Sequence, residues 1–154
     1  MGFFDGYNVS SSGMSAQRTR INVVSANIAN AKTTHTAEGG PYKKQQVVFQ
    51  DILLANSNQK ANSNDVEATN DKNSDIALRG VGVKSIIQSD AKPVLRYDPT
   101  HPDANPEGYV AYPDINPVIE MVDLIEAMRS YEANVSAFNT HKAIDSKTLD
   151  ILNA

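Results

Sequence analysis

The chain of 154 residues is most informative at first for what it does not contain. It has no cysteine and no tryptophan, and the lack of cysteine excludes disulfides, thiol nucleophiles and thiolate zinc sites. No apolar run approaches the roughly 20 residues that a membrane-spanning helix needs. The formal charge is −4 and the basic residues are scattered, which argues against a nucleic-acid-binding face. The length allows one modest domain.

The N-terminus also lacks the signs of a cleaved secretory signal. The stretch from Met1 to Gly6 has neither a cationic start nor an apolar core. We therefore expect that, if the protein leaves the cytoplasm, it does so by a route that uses no cleaved signal.

Residue patterns for catalysis are sparse. The histidines are His35, His101 and His141, and no pair of them has the four-residue spacing of a helical metal site. Asp98, His101 and Asp103 could converge on a metal, but prolines at 99 and 102 favour a rigid turn. The prediction is no catalytic residue, no metal site and no cofactor.

The first clear pattern is a helix predicted from Tyr7 to Ala31. Its apolar stripe contains four residues spaced by seven: Tyr7, Met14, Ile21 and Ile28. Val24 and Ala31 lie three positions after the last two of these. This spacing is a heptad repeat and predicts a helix with one narrow apolar seam.

A second and longer helix is predicted from about Pro117 to Leu152. Asn116 is a good N-cap residue before Pro117. Its heptad seam consists of Met121, Leu124, Met128, Tyr131, Val135 and Phe138. The acidic residues of its first turns, Glu120, Asp123 and Glu126, suit the helix dipole and are expected to form a solvated face.

The middle of the chain reads as strands and turns. Short β-branched runs predict strands within residues 42–54, 81–87, 94–97 and 109–113. The stretch 55–74 is rich in Asn, Ser, Asp and Lys and predicts a solvated loop. The fold class is therefore α+β, with long terminal helices that pair as a coiled coil or bundle. The predicted organisation is an N-terminal assembly helix (1–34), a β-rich middle (35–116, with a flexible insertion at 55–80) and a C-terminal assembly helix (117–154).

A protein whose ends are helices with narrow seams cannot complete its core alone, which points to assembly with partners. Two other classes stay open. A self-contained helical adaptor would bind a partner helix in its groove, and a small hydrolase would gather polar residues in one pocket.

Several motifs carry a resemblance to a known family. They are 13–17 (Gly-Met-Ser-Ala-Gln), 25–30 (Ser-Ala-Asn-Ile-Ala-Asn) leading to Thr33, 40–42 (Gly-Pro-Tyr) with 47–50 (Val-Val-Phe-Gln), 97–99 (Tyr-Asp-Pro) with 101–102 (His-Pro), 108–110 (Gly-Tyr-Val) with Pro113, and the run 120–140. In these motifs the chain resembles the flagellar basal-body rod proteins. The resemblance covers nearly all of the chain except about 55–80, and another rod or hook subunit is the alternative within the family.

The resemblance implies a non-enzymatic axial subunit that transmits torque from motor to hook. It implies export, unfolded, through the flagellar type III apparatus and helical assembly in the periplasm. The implied partners are further copies, the rod subunits FlgB, FlgF and FlgG, FliE, the export apparatus and the inner-membrane ring, with no nucleic acid and no membrane span. The expected assembly interface consists of Tyr7, Met14, Ile21, Val24, Asn27, Ile28, Asn30, Met121, Leu124, Met128, Tyr131, Asn134, Val135 and Phe138.

Overall fold

The fold is α+β, as predicted, with one long helix at each end. A computed structural model of the protein describes residues 5–54 and 78–152. Helix α1 spans Asp5–Ala29 and helix α2 spans Pro117–Leu152. The bounds of α2 match the prediction, while α1 begins and ends two residues earlier than predicted. The predicted loop at 55–74 lies outside the described residues.

Local sequence explains where α2 begins and where α1 ends. The side-chain Oδ1 of Asn116 accepts a hydrogen bond from the amide of Val118 at 3.0 Å, which is the predicted N-cap. Asn30 lies just after α1 and donates from Nδ2 to the Ala26 carbonyl at 2.9 Å. Thr33 donates from Oγ1 to Asn30 Oδ1 at 3.1 Å. Asn30 therefore satisfies part of the open C-terminal end of the helix.

Four strands form two separate antiparallel pairs in the described part of the chain. Strands β1 (Gln45–Leu53) and β2 (Arg79–Gln88) form one hairpin, with a register shift at Val48/Phe49. Strands β3 (Val94–Tyr97) and β4 (Tyr109–Tyr112) form the other. Strands β1, β3 and β4 lie within segments whose sequence predicts strands, whereas β2 extends past the predicted 81–87 at both ends and includes Arg79 and Gly80, which the prediction placed in the flexible insertion. The β1–β2 hairpin packs along α1, through contacts of both strands with the helix.

The two helices pack against each other in antiparallel orientation. Tyr7 near the start of α1 donates a hydrogen bond to Asp145 near the end of α2. At the other end, Asn27 is bonded to Glu120. The buried apolar core of the described residues is small: Ala16, Val23, Val24, Val110 and Ala127. Neither α1 nor α2 is long and apolar enough to cross a membrane over its described residues.

Candidate assembly interface

The contact line between the helices is a heptad of small and polar residues. On α1 it follows Gly6, Gly13, Arg20 and Asn27, and on α2 it follows Glu120, Ala127, Asn134 and His141. Both sets repeat every seven residues, which keeps them on one face of each helix. On α1 this line lies one residue before the apolar stripe Tyr7, Met14, Ile21 and Ile28. All four of those side chains are half-buried beside the line.

Gly13 allows the closest approach in the middle of the pair. A Cβ at this position would lie 2.6 Å from Oδ1 of Asn134. Asn134 is held in place because its Nδ2 donates to the Ser130 carbonyl at 2.8 Å. A larger side chain at residue 13 would therefore have to displace the Asn134 side chain or push α2 away.

Asn27 is the centre of a buried polar node, defined here as Asn27, Tyr42, Lys44, Gln45 and Glu120. Its Nδ2 donates to the Gln45 carbonyl at 2.9 Å and to Glu120 Oε2 at 3.0 Å. Its Oδ1 accepts from the Gln45 amide at 2.9 Å and from the Tyr42 hydroxyl at 3.2 Å. Asn27 is 1% exposed, and these bonds use both donors and both acceptor sites of its amide.

Glu120 brings a buried charge to the polar node. Its side chain is 1% exposed, and Lys44 Nζ lies 2.6 Å from its Oε1. That oxygen has no partner in hydrogen-bond geometry, so the contact is an ion pair and the hydrogen bond from Asn27 goes to Oε2. Burial, and secondarily the negative charge of Glu120, raises the pKa of Tyr42. The prediction that Glu120 belongs to a solvated face is wrong, because α1 and the segment before β1 cover it.

The opposite end of the helix pair is closed by an aromatic contact. The ring of Tyr7 meets Phe138 edge-on at 4.9 Å between centroids. The Tyr7 hydroxyl donates to Asp145 Oδ2 at 2.6 Å. That hydrogen bond, followed by desolvation and the charge of Asp145, raises the pKa of Tyr7.

The other two acidic residues of the first turns of α2 lie at the surface. Arg20 lies 3.8 Å from Asp123 and 3.7 Å from Glu126. Contacts of this kind, which stay partly exposed, contribute little to stability.

Most residues of the predicted interface lie at the edge of the helix pair. Only Val24 and Asn27 are buried, and Met121 and Met128 are exposed. The others are half-buried: Tyr7, Met14, Ile21, Ile28, Asn30, Leu124, Tyr131, Asn134, Val135 and Phe138. Sequence reasoning missed Ala16, Val23 and Ala127, which are buried.

The first half of α2 carries an exposed apolar patch on the side that faces away from α1. We define this outer patch as Val118, Met121, Val122, Ile125 and Met128. Val118 is 68% and Val122 60% exposed. Ile125 lies about 200° around the helix from the buried Ala127. Val122 and Ile125 also line a shallow groove of about 420 Å³ that continues to Arg129 and Ala133.

Two further regions contain polar side chains, a cleft beside β1 and the turn around His101. A cleft of about 360 Å³ between the helices and β1 is lined by Asn27, Lys44 and Glu120 of the polar node together with Arg20, Phe49 and Asp123, and its described lining contains no histidine or serine. The region of Asp98, His101 and Asp103 forms a turn, as predicted. In it the Asp103 amide donates to His101 Nδ1 at 3.1 Å. Within residues 5–54 and 78–152, no three His, Asp or Glu side chains are grouped to hold a metal.

Paired terminal helices, small strand pairs between them and an apolar patch turned outward describe a structural subunit. Family models match the two ends of the chain. Residues 8–34 match the model "Flagella basal body rod protein", and residues 107–151 match "Flagellar basal body rod FlgEFG protein C-terminal".

Individual relatives are similar over nearly the whole chain. The flagellar basal-body rod protein FlgC of Borreliella burgdorferi is 40% identical, covering 99% of both chains. The FlgC protein of Bacillus subtilis is 41% identical, over 96% of this chain and 97% of its own. That of Salmonella typhimurium is 37% identical over 94% of each. The chain therefore belongs to the flagellar basal-body rod protein family, among the FlgC-like members. It is a structural subunit of the basal-body rod.

Proposed function

We propose that this subunit polymerises through its terminal helices into the proximal part of the rod, and that the rod carries torque from the motor to the hook. In this proposal its neighbours are further copies, other rod subunits such as FlgB, FlgF and FlgG, FliE, and the inner-membrane ring. The subunit would be exported without a cleaved signal and would assemble where the rod crosses the periplasm. Its role would be structural, with no catalysis.

The observation that carries the proposal is the outer patch. Its large apolar side chains are turned away from α1, the only helix packed on α2 in the described chain. A contiguous exposed apolar surface of this kind marks an interaction site. The patch also differs from the surface that binds α1, so a subunit can keep its own helix pair while it binds a neighbour. If the patch binds a different surface of the neighbouring subunit, and the rotation between the two subunits does not close into a ring, the contact repeats and builds a helical tube.

The half-buried residues beside the helix contact line extend the proposed interface. Leu124, Tyr131 and Val135 lie along one edge of α2, and Ile21 and Ile28 along α1. A neighbouring helix that packs into this edge would bury the exposed remainder of these side chains. Each would gain stabilisation at about 25 cal/mol per Å² of apolar area removed from water.

The experiment that tests the proposal places a charge in the outer patch. In cells whose own copy is deleted, Ile125→Asp should abolish completed hooks and swimming, because an unpaired carboxylate would be buried at the contact. The matched control is Ser136→Asp, which adds the same charge at an exposed polar position of α2. Circular dichroism of the purified variants would show that both remain folded. Normal swimming with Ile125→Asp would contradict the proposal.

A further inference from the structure

We infer that Asn27 and Ser12 are positioning residues that fix the β1–β2 hairpin to α1 at two points, so that the hairpin and the helix pair move as one rigid body. The mechanical part of this inference rests on the proposed function. The attachment itself involves only contacts within one subunit.

The first attachment is at the start of β1. Both the amide and the carbonyl of Gln45 bond to the side chain of Asn27, while the neighbouring Lys44 carbonyl accepts from Ser89 across the hairpin. Alternate residues of a strand direct their backbone groups to opposite edges. The Asn27 amide therefore takes the place of a neighbouring strand on the outer edge of β1.

The second attachment is at the far end of the hairpin, on β2. The amide of Val81 donates to Oγ of Ser12 at 3.2 Å. Ser12 itself donates to the Val9 carbonyl at 2.7 Å, which orients its oxygen toward the strand. At Gly80 a Cβ would lie 2.6 Å from the same Oγ, so glycine is what allows the strand to approach the helix this closely.

The two attachments are far enough apart to define an orientation. Along α1, the distance from Ser12 to Asn27 is about 22 Å at 1.5 Å per residue. Along the hairpin, Val81 pairs with Asp51, and the distance from Gln45 to Asp51 is about 20 Å. The spacings match, so the hairpin lies along the helix. One attachment alone would let the hairpin swing about that point, whereas two at this separation fix its direction along the helix.

The buried ion pair extends the attachment to the second helix. Glu120 of α2 accepts from Asn27 and pairs with Lys44, the residue just before β1. The start of β1 is thus held by α1 and α2 together. In a rod that turns, a hairpin fixed in this way would rotate with the helices rather than lag behind them.

The test measures the orientation of the hairpin directly. Because the chain has no cysteine, the double substitution Asn22→Cys and Lys84→Cys places one spin label on α1 and one on β2, both at exposed positions. Double electron–electron resonance on the purified full-length protein then reports the distribution of distances between them. We expect one narrow peak in the parent. Asn27→Ala or Ser12→Ala should broaden it, and the double variant should broaden it further.

Neighbouring residues of the same type supply matched controls. Asn30→Ala and Ser11→Ala remove an asparagine and a serine from the same helix region, but neither side chain reaches the hairpin in the structure. Both should leave the distribution narrow. If Asn27→Ala unfolds, the inference is still tested by whether Ser12→Ala broadens the distance distribution while Ser11→Ala leaves it narrow.

Two results would overturn the inference: a parent distribution that is already broad, or a narrow peak that survives in the Ser12→Ala, Asn27→Ala double variant. Neither result depends on rod assembly, since the measurement is made within one subunit. Failure of the proposed function would appear instead as normal swimming with Ile125→Asp.

Discussion

At the scale of single residues, Asn27 and Asn30 belong to one motif but have different roles. Asn27 connects three segments of the chain through a fully used amide. Asn30 makes only local bonds at the end of α1. Of the two, Asn27 is therefore the residue whose side chain connects separate elements of the fold.

This difference predicts unequal effects of substitution. Asn27→Asp keeps the shape but removes both donors and places a carboxylate beside Glu120 and the Gln45 carbonyl. We expect a loss of about 3 kcal/mol or more in the free energy of unfolding, as for a buried charge left uncompensated. Asn30→Ala should cost about 1 kcal/mol, the value of an ordinary hydrogen bond. Urea denaturation of the two variants measures the difference, and equal losses would show that the polar node does not hold the fold.

At the scale of elements, the helix pair depends on close approach at Gly13. Gly13→Val should destabilise the protein by about 2 kcal/mol through overpacking against Asn134. Ser15→Val introduces the same side chain at an exposed position of α1, where it should cost little because serine and valine have similar helix propensities.

A second variant identifies the cause. If the loss comes from contact with Asn134, then Gly13→Val should be less costly in an Asn134→Ala background than in the parent. Thermal or chemical unfolding of the four proteins gives this coupling energy. If the losses in stability from the two substitutions are purely additive, the strain at residue 13 does not come from contact with Asn134.

The elements were well predicted from sequence because their signals are local. The Asn116-Pro117 pair specifies where α2 begins, and β-branched runs such as Val47-Val48-Phe49 specify strands. Of the contact line, only Asn27 and Asn134 were in the predicted interface, because small and charged residues such as glycine and arginine carry no hydrophobic signal. The prediction instead followed the heptad of larger apolar residues, which lies one position further along α1.

Glu120 shows why long-range burial escaped the same reasoning. An acidic residue in the first turn of a helix is usually solvated and favourable to the dipole. Its burial depends on Asn27, 93 positions away, and on the Lys44 ammonium. The motif that contains Asn27 pointed to the family, but only the fold shows what its side chain binds.

At the scale of the whole molecule, the hairpin closes independently of residues 55–77. The amide of Leu54 donates to the carbonyl of Leu78 at 2.9 Å, so the two strands are already paired where that segment leaves and returns. We expect that replacing residues 55–77 with a short Gly-Ser linker keeps the hairpin folded. Stability should be unchanged or rise by about 1 kcal/mol, since a shorter loop closes at lower entropic cost.

Circular dichroism and urea denaturation of the full-length variant would check this expectation. A swimming assay adds a separate readout. Reduced motility with an intact fold would mean that residues 55–77 contact another component, whereas loss of the folded hairpin would contradict the expectation itself.

The antiparallel arrangement of α1 and α2 also determines when the helix pair can form during synthesis of the chain. Tyr7 and Asp145 are in contact but lie 138 positions apart in the chain, so almost the entire polypeptide must be made before the helix pair can close. At 5–20 residues per second, α1 waits on the order of 10 s for its partner. Closure of such a long loop is also intrinsically slow. During that interval α1 has no partner helix.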